Sequence, residues 1–329
     1  MSNVPMKVPK YIAIIALLAI FIVAGSMLFD YYTTEQTISK VESLWERADN
    51  HRKNGNYEQA VNIYESVFEV ISPDNFQKEY GLNYYYLGKT YEEIAYQTHN
   101  STNLQKSISA YTMAKNYLTQ DSYPREFALV QYGMGDAYLK LHGMNNREND
   151  IQISIASYEQ SLQYFSMARD SFYFASLNNK LGNAYRKMGV HHNNSEYFLT
   201  AISHYNESLR VFRKDVYPVE YAGVQNNLGN TYLELSKISD QEFHINKAIT
   251  AYKEALTILS MDTQPLEYAT VQNNLGNSYF ELSKIENKKA NSEKAADAYH
   301  ESLKIFTSDR FPVEHEGIMD NLVKAYKNT

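Results

Sequence analysis

The sequence predicts an all-α fold: an α-solenoid of about six helix pairs closed by a single C-terminal helix. Three columns of residues, each recurring at a step of 47 positions, carry this prediction. The glycines are Gly88, Gly135, Gly182, Gly229 and Gly276; the tyrosines are Tyr64, Tyr111, Tyr158, Tyr205, Tyr252 and Tyr299; the prolines are Pro124, Pro218, Pro265 and Pro312, with Ser171 in the gap. Unrelated helices do not stay in register over five periods, so the chain is a repeat array.

Composition narrows the class of protein. The 329 residues include 30 Tyr but only 13 Gly and 7 Pro, which suits helices packed through aromatic rings. The formal charge of -7 is spread along the chain, and no Lys/Arg block could follow a phosphate backbone, so we expect no nucleic-acid partner. The absence of Cys excludes disulfides and thiolate metal sites.

The N-terminus carries an apolar run that predicts a transmembrane anchor. Residues 11–29 contain no charged side chain, and 19 residues are close to the length that a helix needs to cross a bilayer. An alternative is a signal sequence cleaved after residue 26, which would make the protein secreted. Because Met27, Leu28 and Phe29 continue the apolar run past that point, we favour an uncleaved anchor.

The charges that flank this run predict its orientation. Lys7 and Lys10 precede it, while Asp30 and Glu35 follow it. The positive-inside rule then places residues 1–10 in the cytoplasm as a short tail and the repeats outside it. We therefore expect a single-pass membrane protein that contacts the lipid bilayer through residues 11–29.

Beyond the anchor, the predicted elements are a polar linker at 30–37 and the solenoid at 38–329. Residues 38–52 and 57–71 have helical apolar spacing and form the first pair. In the later pairs, glycine in the first helix allows the second helix to approach closely, and proline suits the first turn, where no backbone donor is needed. The final helix has Val323 at the glycine position and a polar end, which predicts a solubilising cap.

These residues resemble the tetratricopeptide repeat, abbreviated TPR. In the first pair the resemblance is carried by Leu44, Ala48, Gly55, Tyr57, Ala60, Tyr64 and Pro73, and later by Leu228, Gly229, Tyr232, Ala248, Tyr252 and Ala255. The later units look like the same repeat lengthened to 47 residues, similar to those of kinesin light chains and many prokaryotic signalling proteins. The resemblance implies a right-handed superhelix whose first helices line a concave groove.

No catalytic constellation is present in the sequence. Phosphate-binding glycine loops, His-Glu-x-x-His and Gly-x-Ser-x-Gly are all absent, so we expect no enzyme activity, no cofactor and no small-molecule substrate. His191 and His192 are adjacent, but two histidines without a third ligand predict a solvated loop, and we expect no metal site.

The candidate binding residues are columns of asparagine and tyrosine on the first helices. Positions three before and one after each glycine lie four apart and share a helix face. Amide side chains offer both a donor and an acceptor, and a row of them can pair with the backbone of an extended peptide. The predicted peptide-binding residues are Tyr85, Tyr132, Asn179, Asn183, Asn226, Asn227, Asn230, Asn273, Asn274 and Asn277.

The asparagines of the C-terminal units also resemble the asparagine-lined superhelix of the O-linked N-acetylglucosamine transferases. The matching positions are Asn227, Asn274 and Asn321, while Lys180 and Gly133 depart from the pattern. The resemblance implies a scaffold or adaptor that binds a protein or an extended peptide. Two alternatives stay open: the asparagines hold neighbouring helices together, or the arrays associate with one another in an architectural role without a peptide ligand.

Overall fold

The computed structural model describes the backbone of residues 10–328, and the side chains of all of these except 10–18, 20, 21, 25 and 28–30. Within that range the chain forms thirteen α-helices and no strand. The helices are α1 (Lys10–Lys53), α2 (Tyr57–Val67), α3 (Gln77–Thr98), α4 (Ser101–Tyr117), α5 (Pro124–Asn145), α6 (Glu148–Leu162), α7 (Ser171–His192), α8 (Ser195–Leu209), α9 (Pro218–Leu235), α10 (Gln241–Leu256), α11 (Pro265–Ser283), α12 (Lys288–Leu303) and α13 (Pro312–Lys327). The all-α prediction is confirmed.

The helices fall into two compact units, residues 1–123 and 124–329. In the first unit α1 packs on α2 and α3 packs on α4. In the second unit α5 and α6, α7 and α8, α9 and α10, and α11 and α12 are packed pairs, and α13 lies against α12. We call α5, α7, α9, α11 and α13 the first helices of the second unit. Successive first helices touch from α7 onward, so they form one row.

The first helix is longer than the sequence pattern predicts. Residues 30–37, predicted as a linker, continue α1 without a break, so the connection into the repeats is itself helical. Among the described residues, no helix has the length and apolar character needed to cross a membrane. Most side chains of the predicted anchor, and residues 1–9 of the predicted tail, lie outside the described set.

The glycine and tyrosine columns form one packing unit in each later pair. The six tyrosines of the column are all buried. In α9 a Cβ added at Gly229 would stand 2.5 Å from Cε1 of Tyr252, and the other four glycines of the column face their tyrosines in the same way. The ring thus occupies the space that a side chain at the glycine would need, which confirms the predicted close approach of the two helices.

The proline column marks where first helices begin. Pro218, Pro265 and Pro312 occupy the first turn of α9, α11 and α13, and α5 begins at Pro124. α7 begins instead at Ser171, where the side chain of Asp170 accepts a hydrogen bond from the Tyr173 backbone amide at 3.2 Å. A side-chain cap therefore replaces proline at the gap in the column.

A fourth column, which the sequence analysis did not recognise, lies between the helices of each later pair. His99, Asn146, Asn193, Asp240 and Asn287 all have positive φ, between 42° and 54°, and they recur at the same step as the glycines. Asn and Asp tolerate this left-handed conformation better than other residues with a Cβ. The signal was present in the sequence as a row of Asn, Asp and His between the two helices.

Replacing the exposed His99 with glycine is expected to raise the free energy of unfolding by about 1 kcal/mol, since glycine adopts positive φ without steric cost. The matched variant is Gly55→Ala, at φ 75° with no neighbour near the added Cβ, which is expected to lower it by a similar amount. Urea denaturation of both variants measures the effect. If His99→Gly and the parent chain were equally stable, the positive φ at residue 99 would not cost measurable stability.

Candidate functional site

In the second unit, the residue after each column glycine bonds the buried tyrosine of its own pair. The hydroxyls of Tyr205, Tyr252 and Tyr299 donate to Oδ1 of Asn183, Asn230 and Asn277, each at 2.8 Å. The Tyr158 hydroxyl donates to Asp136 at 2.6 Å in the same way. In three of the predicted peptide-binding asparagines, the side-chain carbonyl oxygen therefore accepts a hydrogen bond from a buried tyrosine within the fold. Their amide NH2 groups make no hydrogen bond with the described residues.

Burial keeps these hydroxyls protonated. It raises the pKa of Tyr205 to about 12, and it holds the pKa values of Tyr158, Tyr252 and Tyr299 well above their usual range. The unfolded chain therefore loses these protons first as the pH rises. The contribution of the tyrosines to stability is complete below about pH 10 and declines above it.

Alkaline titration is accordingly expected to unfold the chain above about pH 10, with a slope of about 1.4 kcal/mol per pH unit for each buried tyrosine. Circular dichroism follows the helices, and absorbance near 295 nm follows the phenolates. The last phenolates should appear together with the loss of helix signal. Full ionisation of all tyrosines in a chain that stays helical would contradict the prediction.

A second set of hydrogen bonds joins successive first helices from α7 to α13. Asn227 Nδ2 donates to Asn179 Oδ1 at 3.0 Å, and Asn274 Nδ2 donates to Asn226 Oδ1 at 3.2 Å. At the last step Asn321 donates to Asn277 Oδ1 instead, at 3.2 Å. We call these bonds the amide ladder. They are the neighbour-to-neighbour contacts expected if the asparagines hold the helices together.

Between α5 and α7, at the N-terminal end of the second unit, an ion pair takes the place of the amide hydrogen bond. Lys180 Nζ, which stands at the donor position, pairs with Asp136 Oδ1 at 2.8 Å and lies over the ring of Tyr132 at 5.1 Å from its centroid. The Tyr132 hydroxyl shares a hydrogen bond of 2.8 Å with Ser176 Oγ. The predicted binding residue Tyr132 is thus packed between repeats. Only part of its ring edge is left to a ligand, because the side chain is half-buried.

The remaining predicted site residues have mixed surroundings. In the first unit Tyr85 is half-buried, with Lys89 Nζ 5.9 Å from the centroid of its ring. Asn273 keeps an enclosed Oδ1 without a hydrogen-bond partner, because Asn321 bonds Asn277 rather than Asn273. The structure places the predicted asparagines together on one face of the first helices, and most of them are bonded to one another or to tyrosine.

An exposed apolar row runs beside the ladder, and the sequence analysis did not single it out. Its members are the second residues of α7, α9, α11 and α13: Phe172, Val219, Leu266 and Val313. In α7, α9 and α11 the row residue stands seven and eleven residues before two asparagines of its own helix, so it shares their face, and in α13 Val313 stands eight residues before Asn321. We call this surface, with the apolar row and the amide ladder, the first-helix face. The signal for the row was apolar residues at the position that follows the proline column.

The described residues hold no cluster suited to metal binding. No group of three or more His, Asp or Glu side chains in that part of the chain is arranged to hold a metal ion. His191 and His192 both lie near Glu148, at 3.3 and 3.1 Å, and all three side chains are partly exposed.

Comparison with known proteins is informative only at the level of structure. No family model and no curated protein matches the sequence. The C-terminal part of a TPR repeat-containing protein from Cytophaga hutchinsonii aligns at 14% identity over 87% of this chain and 96% of that chain, with a TM-score of 0.49. The assembly chaperone of RpL4 (Acl4) aligns at 14% identity over 87% of this chain and 95% of that chain, with a TM-score of 0.54.

The TPR2AB domain of yeast Sti1, in a pHSP90 complex, aligns at 13% identity over 88% of this chain and 99% of that chain, with a TM-score of 0.30. At these identities the comparison shows the fold alone. The chain has an all-helical repeat fold that is similar to the fold of the assembly chaperone of RpL4.

Proposed function

We propose that this chain is a membrane-anchored scaffold that binds a protein partner, or an extended segment of one, on the first-helix face of its second unit. The exposed apolar row of Phe172, Val219, Leu266 and Val313 is the observation that carries the proposal. A run of large apolar side chains in register along neighbouring helices is rare on a surface that contacts only water. The similar assembly chaperone of RpL4 supports a protein as the partner.

The chemistry of the face suits an extended segment. Apolar side chains at one edge provide burial, and the NH2 groups of Asn183, Asn230 and Asn277 offer hydrogen-bond donors beside them. Each of these asparagines is held in place by a buried tyrosine. The donors are therefore positioned before the partner arrives, which lowers the entropy lost on binding.

Photo-crosslinking with the full chain in a native extract tests the proposal. Crosslinkers at Gly223 and Thr270 lie on the first-helix face, where both residues are exposed and an added Cβ at Gly223 meets nothing within 4 Å. Crosslinkers at Thr250 and Asp297, on α10 and α12, are the matched controls. We expect one defined protein to be captured from the first pair of positions alone.

The variant Val219→Asp/Leu266→Asp tests the apolar row itself. Both side chains are exposed, so the fold should be retained while capture falls about tenfold or more, because two apolar contacts of about 1.5 kcal/mol are lost. Equal capture from the control positions, or capture that survives the double variant, would contradict the proposal.

The membrane anchor and its orientation are part of the same proposal. The uncharged run at 11–29 and the flanking Lys7, Lys10, Asp30 and Glu35 support an anchor with the N-terminus in the cytoplasm and the repeats outside. Cleavage after residue 26 would instead release the chain. In a bacterial host, alkaline phosphatase fused after residue 40 should be active, and an inactive fusion would contradict this orientation.

Self-association is a second candidate function, favoured by the last helix. Met319, Val323 and Tyr326 are exposed on α13 at helical spacing, so the predicted polar cap has an apolar stripe. A second copy could cover that stripe. Analytical ultracentrifugation of the full chain in detergent, with Val323→Lys for comparison, tests this function. A concentration-dependent dimer lost in the variant would favour self-association over binding of a different protein.

A further inference from the structure

The first-helix face contains a groove between the apolar row and a line of asparagines. Its floor is formed by small residues that stand four after the members of the row, namely Ser176, Gly223, Thr270 and Gly317. A Cβ added at Gly223 or Gly317 meets no atom within 4 Å, so the space above the floor is open there. Residues four and seven after a row residue lie on the same side of the helix. The apolar row therefore forms one wall of the groove, and asparagines form the other.

The asparagine wall carries hydrogen-bond donors that the fold does not use. It consists of Asn179, Asn226 and Asn273, seven residues after the row residues of α7, α9 and α11. Asn179 and Asn226 accept rungs of the amide ladder through Oδ1, but the NH2 groups of all three make no hydrogen bond with the described residues. The three side chains are half-buried. A segment that lies in the groove is therefore expected to supply hydrogen-bond acceptors.

The groove is almost free of charge. From α7 to α13 its row, floor and asparagine positions hold one ionisable side chain, Asp320 on the last helix. On α5 the corresponding positions are occupied by Arg125, Leu129 and Tyr132, so the small floor and the asparagines begin at α7. A charged side chain placed in the groove loses water without gaining a partner. The complementary occupant is therefore an uncharged segment.

The amide ladder sets the interval at which the groove repeats. Its rungs are 3.0 and 3.2 Å long, and side chains in such contact hold successive first helices at the usual axis separation of about 8–10 Å. The apolar row thus offers one contact per helix at about that interval. An occupant that uses all four row residues spans three intervals, or about 24–30 Å.

A polyproline II segment matches this interval and also has free acceptors. It has three residues per turn at about 3.1 Å per residue, so the same side returns about every 9 Å, and its carbonyls have no internal hydrogen bonds. A β-strand presents the same side after two residues, at about 6.7 Å. An α-helix presents nearly the same side after seven residues, at about 10.5 Å, but its carbonyls are already bonded within the helix. Spacing and acceptors together favour polyproline II.

We propose that the occupant of the groove is an uncharged, proline-rich segment of the partner in the polyproline II conformation, with an apolar side chain at every third residue. The apolar side chains contact the apolar row, and backbone carbonyls accept from Asn179, Asn226 and Asn273. This inference rests on the proposed function, since it specifies the segment bound at the same face. Because such a segment is extended before it binds, little conformational entropy is lost.

Binding of labelled synthetic peptides to the full chain in detergent, measured by fluorescence anisotropy, tests the spacing. The probe is Leu-Pro-Pro repeated four times, and the matched peptide is Leu-Leu-Pro-Pro-Pro-Pro repeated twice, which has the same composition. We expect the probe to bind about tenfold more tightly or better, since it aligns four leucines with the row instead of two. Equal affinities, no binding of the probe, or tighter binding of a helical peptide with leucine at every seventh residue would overturn the inference.

Variants of the chain locate the binding in the groove. Gly223→Leu fills the open floor and should weaken the probe about tenfold or more, whereas Thr250→Leu, at an exposed position of α10, should not change its affinity. Asn226→Asp keeps an Oδ1 acceptor for Asn274 and removes the NH2 donor, so it should also weaken the probe. Its control is Asn206→Asp, exposed on α8. Circular dichroism checks that each variant keeps its helices. Unchanged affinity in either groove variant would overturn the inference.

Capture by crosslinking keeps the failure of this inference apart from that of the proposed function. A protein captured from Gly223 and Thr270 by a chain that does not prefer the probe would overturn the inference and leave the proposed function. Binding of the probe without capture from the face would overturn the proposed function and leave the preference of the groove.

Discussion

Gly229→Ala is expected to lower the free energy of unfolding by about 2 kcal/mol, although alanine is the better helix former. The added Cβ would stand 2.5 Å from the ring of Tyr252, which is fully buried and has no space to retreat. The helices of the pair must therefore separate, and the gain in helix propensity of about 1 kcal/mol is outweighed. Urea denaturation followed by circular dichroism measures the difference.

Gly223→Ala supplies the control for this prediction within the same helix. Gly223 is also in α9, but an added Cβ meets no atom within 4 Å, so the substitution should raise stability by about 0.5–1 kcal/mol. In a Tyr252→Leu background, Gly229→Ala should lose most of its cost, because the atoms that clash are gone. Additive effects of the two substitutions would show that Tyr252 is not what makes alanine unfavourable.

Tyr252→Ala is expected to have the largest effect, a loss of about 3–5 kcal/mol. The ring is buried among the side chains of its core cluster and covers the backbone at Gly229, so its removal leaves a cavity that two rigid helices cannot close. The same denaturation experiment measures it. A loss near 1 kcal/mol would mean that the helices collapse into the space.

Tyr252→Phe separates the ring from its hydroxyl. Phenylalanine keeps the ring on Gly229 and removes only the hydrogen bond to Asn230, so we expect a loss of about 1 kcal/mol. Asn230 should then also become more mobile, which NMR of its side-chain amide can detect. A loss as large as that of Tyr252→Ala would assign the stability to the hydroxyl and contradict the packing argument.

The sequence was sufficient to predict the helices of the second unit because its signals repeat. A single glycine or proline is ambiguous, but columns that recur at a fixed step indicate equivalent positions, and α13 begins and ends where the pattern predicts. The start of the chain lacks that support. The polar composition of residues 30–37 predicted a linker. These residues contain no proline or glycine that would break a helix, and in the structure they form the middle of α1.

The candidate site was less predictable, since side-chain composition does not say which atoms are already bonded. Asn183 and Asn226 were both expected to face a ligand, yet one accepts from Tyr205 and the other from Asn274.

The amide ladder gives the row of first helices a direction. Every rung runs from a donor on one first helix to an acceptor on the preceding one. The segment from Gly229 to the residue before Gly276 carries one donor, Asn274, and one acceptor, Asn273, so inserting a copy of it would add one rung. The unpaired Oδ1 would remain at the last step, where Asn321 bonds Asn277 instead.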